Sequence, residues 1–200
     1  MRDKSQQAIV SQQFGERAEA YLSSAVHAQG EDLQALARLV GPRPQACALD
    51  LGCGGGHVAY LLAPLVGKVV AYDLSETMVA MVAAEAKRRG LDNIVTKQGP
   101  AESLSCPDRA FDLVVSRYSA HHWQDFDAGL EQARRVLKPD GVAVFMDAIS
   151  PGQPLLNSWL QTLEMLRDPS HVYNRTAEEW RVAVTAAGFV PGPLSCFKLR

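Results

Sequence analysis

Two stretches of this 200-residue chain carry the residue types that do chemistry. The first is Asp50-Leu51-Gly52-Cys53-Gly54-Gly55-Gly56-His57, an acid closing an apolar run and leading a loop with glycines at 52, 54, 55 and 56. Such a loop, resuming as the helical pattern Val58-Ala59-Tyr60-Leu61-Leu62, brings bare backbone N–H groups and a helix N-terminus against a ligand. The second is Ser116-Arg117-Tyr118-Ser119-Ala120-His121-His122-Trp123. There His121 or His122 can serve as a general base, because imidazole titrates near neutral pH. Adjacent histidines point in different directions, so one is expected to face a pocket while the other caps the following helix. Asp147 closes a later apolar run at the same level, as a substrate contact or as a loop cap.

The spacing of the glycine loop separates two ligand classes. A dinucleotide fingerprint, Gly-x-Gly-x-x-Gly counted from Gly52, needs a glycine at position 57, and the chain has His57 there. A pyrophosphate also wants the helix N-terminus aimed at it with no acid close by. Here Asp50 leads the loop and Asp73 closes the next apolar run.

The elements that must hold these groups follow from the apolar pattern. Short, continuously apolar runs at 46–50, 68–73, 94–98, 112–116 and 142–147 read as strands buried on both faces of a parallel sheet. Helices are expected at 57–66, 75–89 and 125–137, with Ser75 as an N-cap and Gly90 as the residue that ends its helix. Upstream, a helix at 5–22 carries Ile9, Val10, Phe14 and Tyr21, and a second at 30–40 stops at Gly41-Pro42-Arg43-Pro44. Lys138-Pro139-Asp140-Gly141 reads as a turn into the fifth strand. Beyond it, Leu155 to Arg167 is helical, Thr176-Ala177-Glu178-Glu179 is a capping box opening a helix to Ala187, and Leu194 to Leu199 is expected to begin a sixth strand. The fold class is therefore α/β, a doubly wound, mainly parallel sheet. The chain divides into N-terminal cap helices (1–44), a ligand-binding core (45–200), and a helical insertion on the substrate side (151–188).

The acid-first loop Asp50-x-Gly52-x-Gly54-x-Gly56 resembles motif I of class I S-adenosylmethionine (SAM) methyltransferases. Asp73 stands where that family places the acid that accepts from both ribose hydroxyls. Gln98-Gly99-Pro100-Ala101-Glu102 stands where the family usually reads Gly-Asp-Ala-Glu around the adenine. Pro100 replaces the aspartate, which leaves the Ala101 N–H or Glu102 as partner. Phe111-Asp112-Leu113-Val114-Val115-Ser116 is similar to the fourth-strand motif, and Arg134-Arg135-Val136-Leu137-Lys138-Pro139-Asp140-Gly141 to the turn before strand five. Within the class the chain resembles the UbiE-like (methyltransferase type 11) enzymes. Phe14-Gly15, Ala18 and Tyr21 are also similar to a pattern in malonyl-carrier-protein O-methyltransferases.

The resemblance implies a Rossmann-like sheet closed by a C-terminal hairpin, which is incomplete in this sequence. It implies SAM as cofactor, with S-adenosylhomocysteine as product, held by Asp50, Gly52, Cys53, Gly54, Gly56, Asp73, Leu74, Met78, Ala101, Glu102, Ser116 and Arg117. Substrate contacts would come from Phe14, Tyr21, Tyr118 and Asp147, and catalysis from His121 or His122. The acceptor would be a small molecule, methylated at carbon or oxygen as a quinone-type compound, or a carrier-bound acid. The chemistry needs no metal, so His121, His122 and His171 are not expected to form a metal site. The alternatives are a nicotinamide-dependent oxidoreductase on a similar sheet, which His57 disfavours, and a non-catalytic SAM-binding protein.

Composition narrows the setting. A net charge of −2, with Lys87-Arg88-Arg89 explained as the basic end of a helix, argues against a nucleic-acid partner. No apolar run approaches the ~18 residues of a membrane span, and the N-terminus lacks a signal-peptide core, so a cytoplasmic chain without membrane insertion is expected. Four scattered cysteines give no disulfide or zinc framework. Asn174-Arg175-Thr176 matches a glycosylation acceptor by pattern, a match that carries little weight without a secretory signal. An open strand edge is a pairing hazard, from which a homodimer or loose order near the C-terminus is expected.

Overall fold

In the computed structural model, which describes residues 30–197 together with Gln6, Ile9 and Val10, the apolar runs form five strands. Phe14 and Tyr21 lie outside the described residues. The strands are β1 (Arg43–Leu51), β2 (Val66–Asp73), β3 (Ile94–Gln98), β4 (Phe111–Arg117) and β5 (Leu137–Met146). They lie in the order β3-β2-β1-β4-β5, and every pairing is parallel. Leu49 of β1 sits between Val70 of β2 and Val114 of β4, and Asp50 pairs with Ala71 and Val115. The chain steps outward from β1 to β3 and then returns to β4 on the other side of β1. The order reverses between β1 and β4, and in such sheets ligands bind in the crevice beyond the carboxyl ends at that switch point.

Helices cover both faces because side chains alternate along each strand. On one face Ala48, Val69, Ala71, Leu113 and Val115 pack under α1 (Glu31–Val40), α2 (His57–Leu62) and α3 (Glu76–Arg88). On the other, Leu49, Leu51, Val70, Tyr72 and Val114 pack under α4 (Phe126–Val136), with Trp180, Ala183 and Val184 of α6 (Ala177–Ala186) outside it. Leu49, Leu51, Leu62 and Leu130 are wholly buried, each contributing about 1.5–3 kcal/mol of transfer free energy.

The helix signals act as read. Ser75 Oγ accepts from the Met78 N–H at 3.4 Å, and Gly90 follows α3 with φ +69°. Thr176 and Glu179 exchange side-chain and backbone hydrogen bonds at 3.1 and 2.7 Å. Asp125, unread in the sequence, caps α4 through the Ala128 N–H at 3.0 Å.

Three expectations are corrected. The helix expected at 57–66 ends at Leu62, and Val66 already begins β2. Residues 138–141 belong to β5 rather than preceding it: Phe111 pairs with Leu137, and Leu113 with Val142, so the four residues bulge out of the ladder. No sixth strand is present among the described residues, and Lys198 and Leu199 of the expected stretch lie outside them. Gly188, Pro191, Gly192 and Pro193 explain this physically, because proline removes ladder donors and glycine weakens strands. Phe189 instead packs edge-on to Phe145, with ring centroids 5.7 Å apart.

Between β5 and α6 the chain makes an excursion that includes α5 (Pro154–Arg167). Its base is closed. Ser150 pairs with Thr176 in an isolated parallel bridge, and the Ser150 N–H donates to Arg175 O at 2.9 Å.

Candidate active site

A cavity of about 480 Å³ opens at the carboxyl ends of β1, β2 and β4, a volume typical of small-molecule sites (~300–1,000 Å³). One end is built by the glycine loop. The Gly52 and Cys53 N–H groups donate to Tyr72 O at 2.8 and 3.0 Å, folding the loop back over β2. Gly52 has φ +74°, and a Cβ added there would lie 1.9 Å from Ser119 Oγ, so only glycine allows this loop and the segment after β4 to touch. Gly56, at φ +81°, begins α2 in the left-handed region with the Tyr60 ring beneath it.

Two carboxylates anchor this end. Asp50 is buried, and its Oδ2 accepts from the Ala59 N–H in the first turn of α2 at 2.9 Å. Burial raises its pKa to about 7, opposed by that hydrogen bond. Asp73 accepts from the Gly54 N–H through Oδ2 at 2.8 Å and from the Ser75 N–H through Oδ1 at 2.9 Å. Burial raises its pKa as well, against the pull of these backbone donors. Each carboxylate oxygen has a second acceptor position, which suits a pair of vicinal hydroxyls. Leu74, Ala101 and Glu102 line the same end, and Glu102 Oε1 accepts from the Gln124 N–H at 2.8 Å, tying the loop after β3 to the one after β4.

The other end is built by side chains. Asp147 Oδ1 lies 2.5 Å from His121 Nδ1, and its Oδ2 accepts from the His121 N–H at 3.1 Å. Burial alone pushes the His121 imidazole down, but the Asp147 charge and hydrogen bond outweigh it and leave the pKa raised. His122 is also buried and has the opposite fate: burial, then the neighbouring His121, lower its pKa. Its Nδ1 donates to Ser170 O at 3.1 Å, since a carbonyl can only accept. The Gln6 amide donates to the same carbonyl at 2.7 Å. The two rings lie 4.1 Å apart at a 47° tilt; contrary to expectation both line the cavity and neither caps α4, whose cap is Asp125. Two neighbours in sequence are thus held as an electron-rich imidazole on a carboxylate and a neutral one on a carbonyl, the split in environment that separates acid–base roles.

Arg117 forms the wall between the two ends. It is buried and pairs through Nε with Asp32 of α1 at 2.5 Å, and its guanidinium lies 4.6 Å from the Tyr118 ring centroid. Tyr118 adopts φ +51°, a left-handed conformation uncommon for a bulky residue, which turns the chain out of β4 and over the cavity.

The cavity wall brings together Asp50, Gly52, Cys53, Gly54, Asp73, Leu74, Ala101, Glu102, Arg117, Tyr118, His121 and His122. Gly56 sits just behind it. Met78 and Ser116 do not reach it. Met78 is wholly buried on the inner side of α3, and Ser116 points to the opposite face from Arg117 because strand side chains alternate. Asp147 stands behind His121 rather than on the wall. Asp32, Gln6, Ser170 and Asn174 escaped the sequence reading. An acid in the first turn of a helix looks like a dipole partner, Gln6 and Ser170 meet their partners across 164 and 48 residues, and Asn174 read only as the head of a sugar-acceptor pattern. Among the described residues no group of His, Cys, Asp or Glu is placed to hold a metal ion, and no helix is long and apolar enough to cross a membrane.

A 3-2-1-4-5 parallel sheet, a glycine loop led by an acid, and a second acid ending β2 define the class I SAM-dependent methyltransferase architecture. Residues 49–145 match the family described as the methyltransferase domain. The chain is 48% identical over 148 residues to the YafE protein of Escherichia coli (strain K12), covering 74% of this chain and 72% of that one. It is 36% identical over 173 residues to the methyltransferase YcgJ of Bacillus subtilis (strain 168), covering 86% and 68%. The crystal structure of YcgJ superposes with a TM-score of 0.75 over 78% of this chain and 66% of that one, at 35% identity. A demethylmenaquinone methyltransferase of Geobacillus stearothermophilus is 35% identical over 107 residues, covering 52% and 46%. The chain belongs to the methyltransferase domain family, whose cofactor is SAM. The nicotinamide alternative is not favoured.

Proposed function

We propose that this protein methylates a small-molecule acceptor whose reacting O–H or activated C–H must first lose its proton. One observation carries this reading: His121, on the wall of the cofactor cavity, is bonded through Nδ1 to Asp147 at 2.5 Å. SAM supplies a methyl group already activated by its sulfonium, so the protein must mainly align the acceptor and exclude water. Asp73 and the loop 52–54 would hold the ribose and methionine portions, with Ala101 and Glu102 toward the adenine. Arg117 and Tyr118 separate that portion from the acceptor. His121 takes the acceptor's proton, and Asp147 fixes its tautomer and stabilises the imidazolium that results.

The base decides between acceptor classes. A carboxylic acid is already ionised at neutral pH and needs no such group. A phenol or hydroquinone keeps its proton and does need one. The likeness to a demethylmenaquinone methyltransferase points the same way. The test is S-adenosylhomocysteine formation, measured by mass spectrometry, across phenols, hydroquinones and simple carboxylic acids. Turnover of the hydroxylated acceptors, lost on His121→Gln, is expected. Turnover confined to carboxylic acids and indifferent to His121→Gln, or binding of NAD without SAM, would overturn the reading.

A further inference from the structure

Asn174 was singled out in the sequence only as the head of Asn174-Arg175-Thr176. The fold rules out a carrier of surface sugar there, because the residue is 2% exposed. It lies instead on the wall of the cavity, at the end where His121 stands. The Val172 and Tyr173 N–H groups both donate to His121 O, at 2.9 and 3.2 Å, so the segment entering Asn174 is bonded directly to the residue proposed as base.

Its backbone is clamped and its side chain is not satisfied. Gln161 of α5 accepts from the Asn174 N–H at 3.0 Å and donates to Asn174 O at 2.8 Å. The same Gln161 carboxamide engages His171 Nε2 at 2.9 Å and Asn157 Oδ1 at 2.8 Å, using its whole bonding capacity. The position of Asn174 is therefore over-determined. Yet Asn174 Oδ1 is buried with no donor. An orphaned buried acceptor has lost its water without a replacement, and native proteins keep few of them without a reason.

From these observations we infer that the Asn174 carboxamide is a specificity-determining contact: its oxygen accepts from a hydroxyl or amine on the methyl acceptor, adjacent to the atom deprotonated by His121. The terminal torsion of asparagine is broad, so the amide can turn to an arriving donor without disturbing the clamp on its backbone. The acceptor class is thereby narrowed to molecules with a second hydrogen-bond donor beside the reacting one. This inference rests on the reading of the cavity as a methyl-transfer site.

The experiment compares matched probes, catechol with phenol and 1,2-dihydroxynaphthalene with 1-naphthol. Binding is followed by calorimetry on protein saturated with S-adenosylhomocysteine, and turnover is followed separately with SAM. The wild type is expected to prefer the donor-bearing member by about 10–100-fold, the penalty for leaving a built polar contact unpaired. Asn174→Leu should abolish the preference with SAM affinity unchanged, and Asn174→Asp, which keeps an acceptor oxygen, should retain it. Equal binding of both members by the wild type overturns the inference without needing any variant, and so does a preference that survives Asn174→Leu. Donor-dependent binding that needs Asn174 but leads to no methylation would sink the transfer reading and leave this contact standing.

Discussion

The two ends of the cavity are made of different material. The glycine-loop end, proposed here for the cofactor, is mostly backbone: Gly52 and Cys53 N–H on Tyr72 O, Gly54 N–H on Asp73, and the first turn of α2 on Asp50. The end proposed for the acceptor is side chains from separate segments, with His121 held by Asp147, His122 by Ser170, and Asn174 by Gln161. Backbone can be arranged in few ways, and so the first end suits a single, invariant ligand. Side chains on excursions between strands can be exchanged singly, and so the second end can be specific. The division of labour predicts that damage to one end will show in cofactor affinity, and damage to the other in rate.

The largest effect should come from the acceptor end. His121→Gln is expected to lower kcat by about 10²–10⁴-fold, the contribution of a placed general base, with the SAM Kd within about twofold of wild type. A matching loss of SAM affinity by calorimetry would break the division. Next in size, Gly52→Ala forces a side chain into Ser119 and holds a non-glycine at φ +74°. SAM should bind about 10–100-fold more weakly, from strain and displacement of order 1–3 kcal/mol. Normal SAM affinity in that variant would show that the loop has more freedom than its contacts allow.

A smaller and more telling change is expected from Asp147→Asn. His121 acts unprotonated and its pKa is raised, so kcat/KM should climb with pH to a plateau above the ordinary imidazole value of about 6.5. Removing the carboxylate leaves the downward push of burial opposed only by the weaker charges of Asp168 and Glu164. The midpoint should then move to lower pH while the plateau falls about tenfold. A midpoint that stays in place would remove His121 as the titrating group. The smallest effect concerns Asp50, a carboxyl raised to about 7. A folded-state pKa above the unfolded one gives stability that is present at low pH and lost as pH rises through about 7. Thermal unfolding without cofactor should fall by a few degrees between pH 5 and 8, and Asp50→Asn should flatten that slope. A slope unchanged by the substitution would place the titration elsewhere.

The same contrast explains what could be read from the sequence. Five strands, their caps, Asp50, the glycine loop and Asp73 were legible because each is a local requirement written in consecutive residues. Ser116 was misplaced by one step of the strand alternation that put Arg117 on the wall. Met78 was misplaced because the helix that Ser75 caps turns its inner side into the core. The histidines were visible as a pair, but their opposite environments depend on Asp147, Ser170 and Gln6, which arrive from distant parts of the chain. Asn174 was invisible as a site residue for the same reason. Nothing near it in the sequence announces that Gln161 fixes its backbone from one helix away. The sixth strand was expected from the family resemblance, and among the described residues two prolines and two glycines lead into that stretch without a ladder forming.

The bridge between Ser150 and Thr176 bears on how such a protein changes over time. Residues 151–175 leave the framework and rejoin it at neighbouring points, so this stretch resembles a cartridge seated in a fixed socket. Replacing it leaves the chain on either side where it was, because the gap to be spanned is the same for any occupant that keeps the two end residues. Recombination within a lineage, or a deliberate graft from a relative, can thus exchange the part that bears Asn174 and Gln161 while the cofactor loop goes untouched.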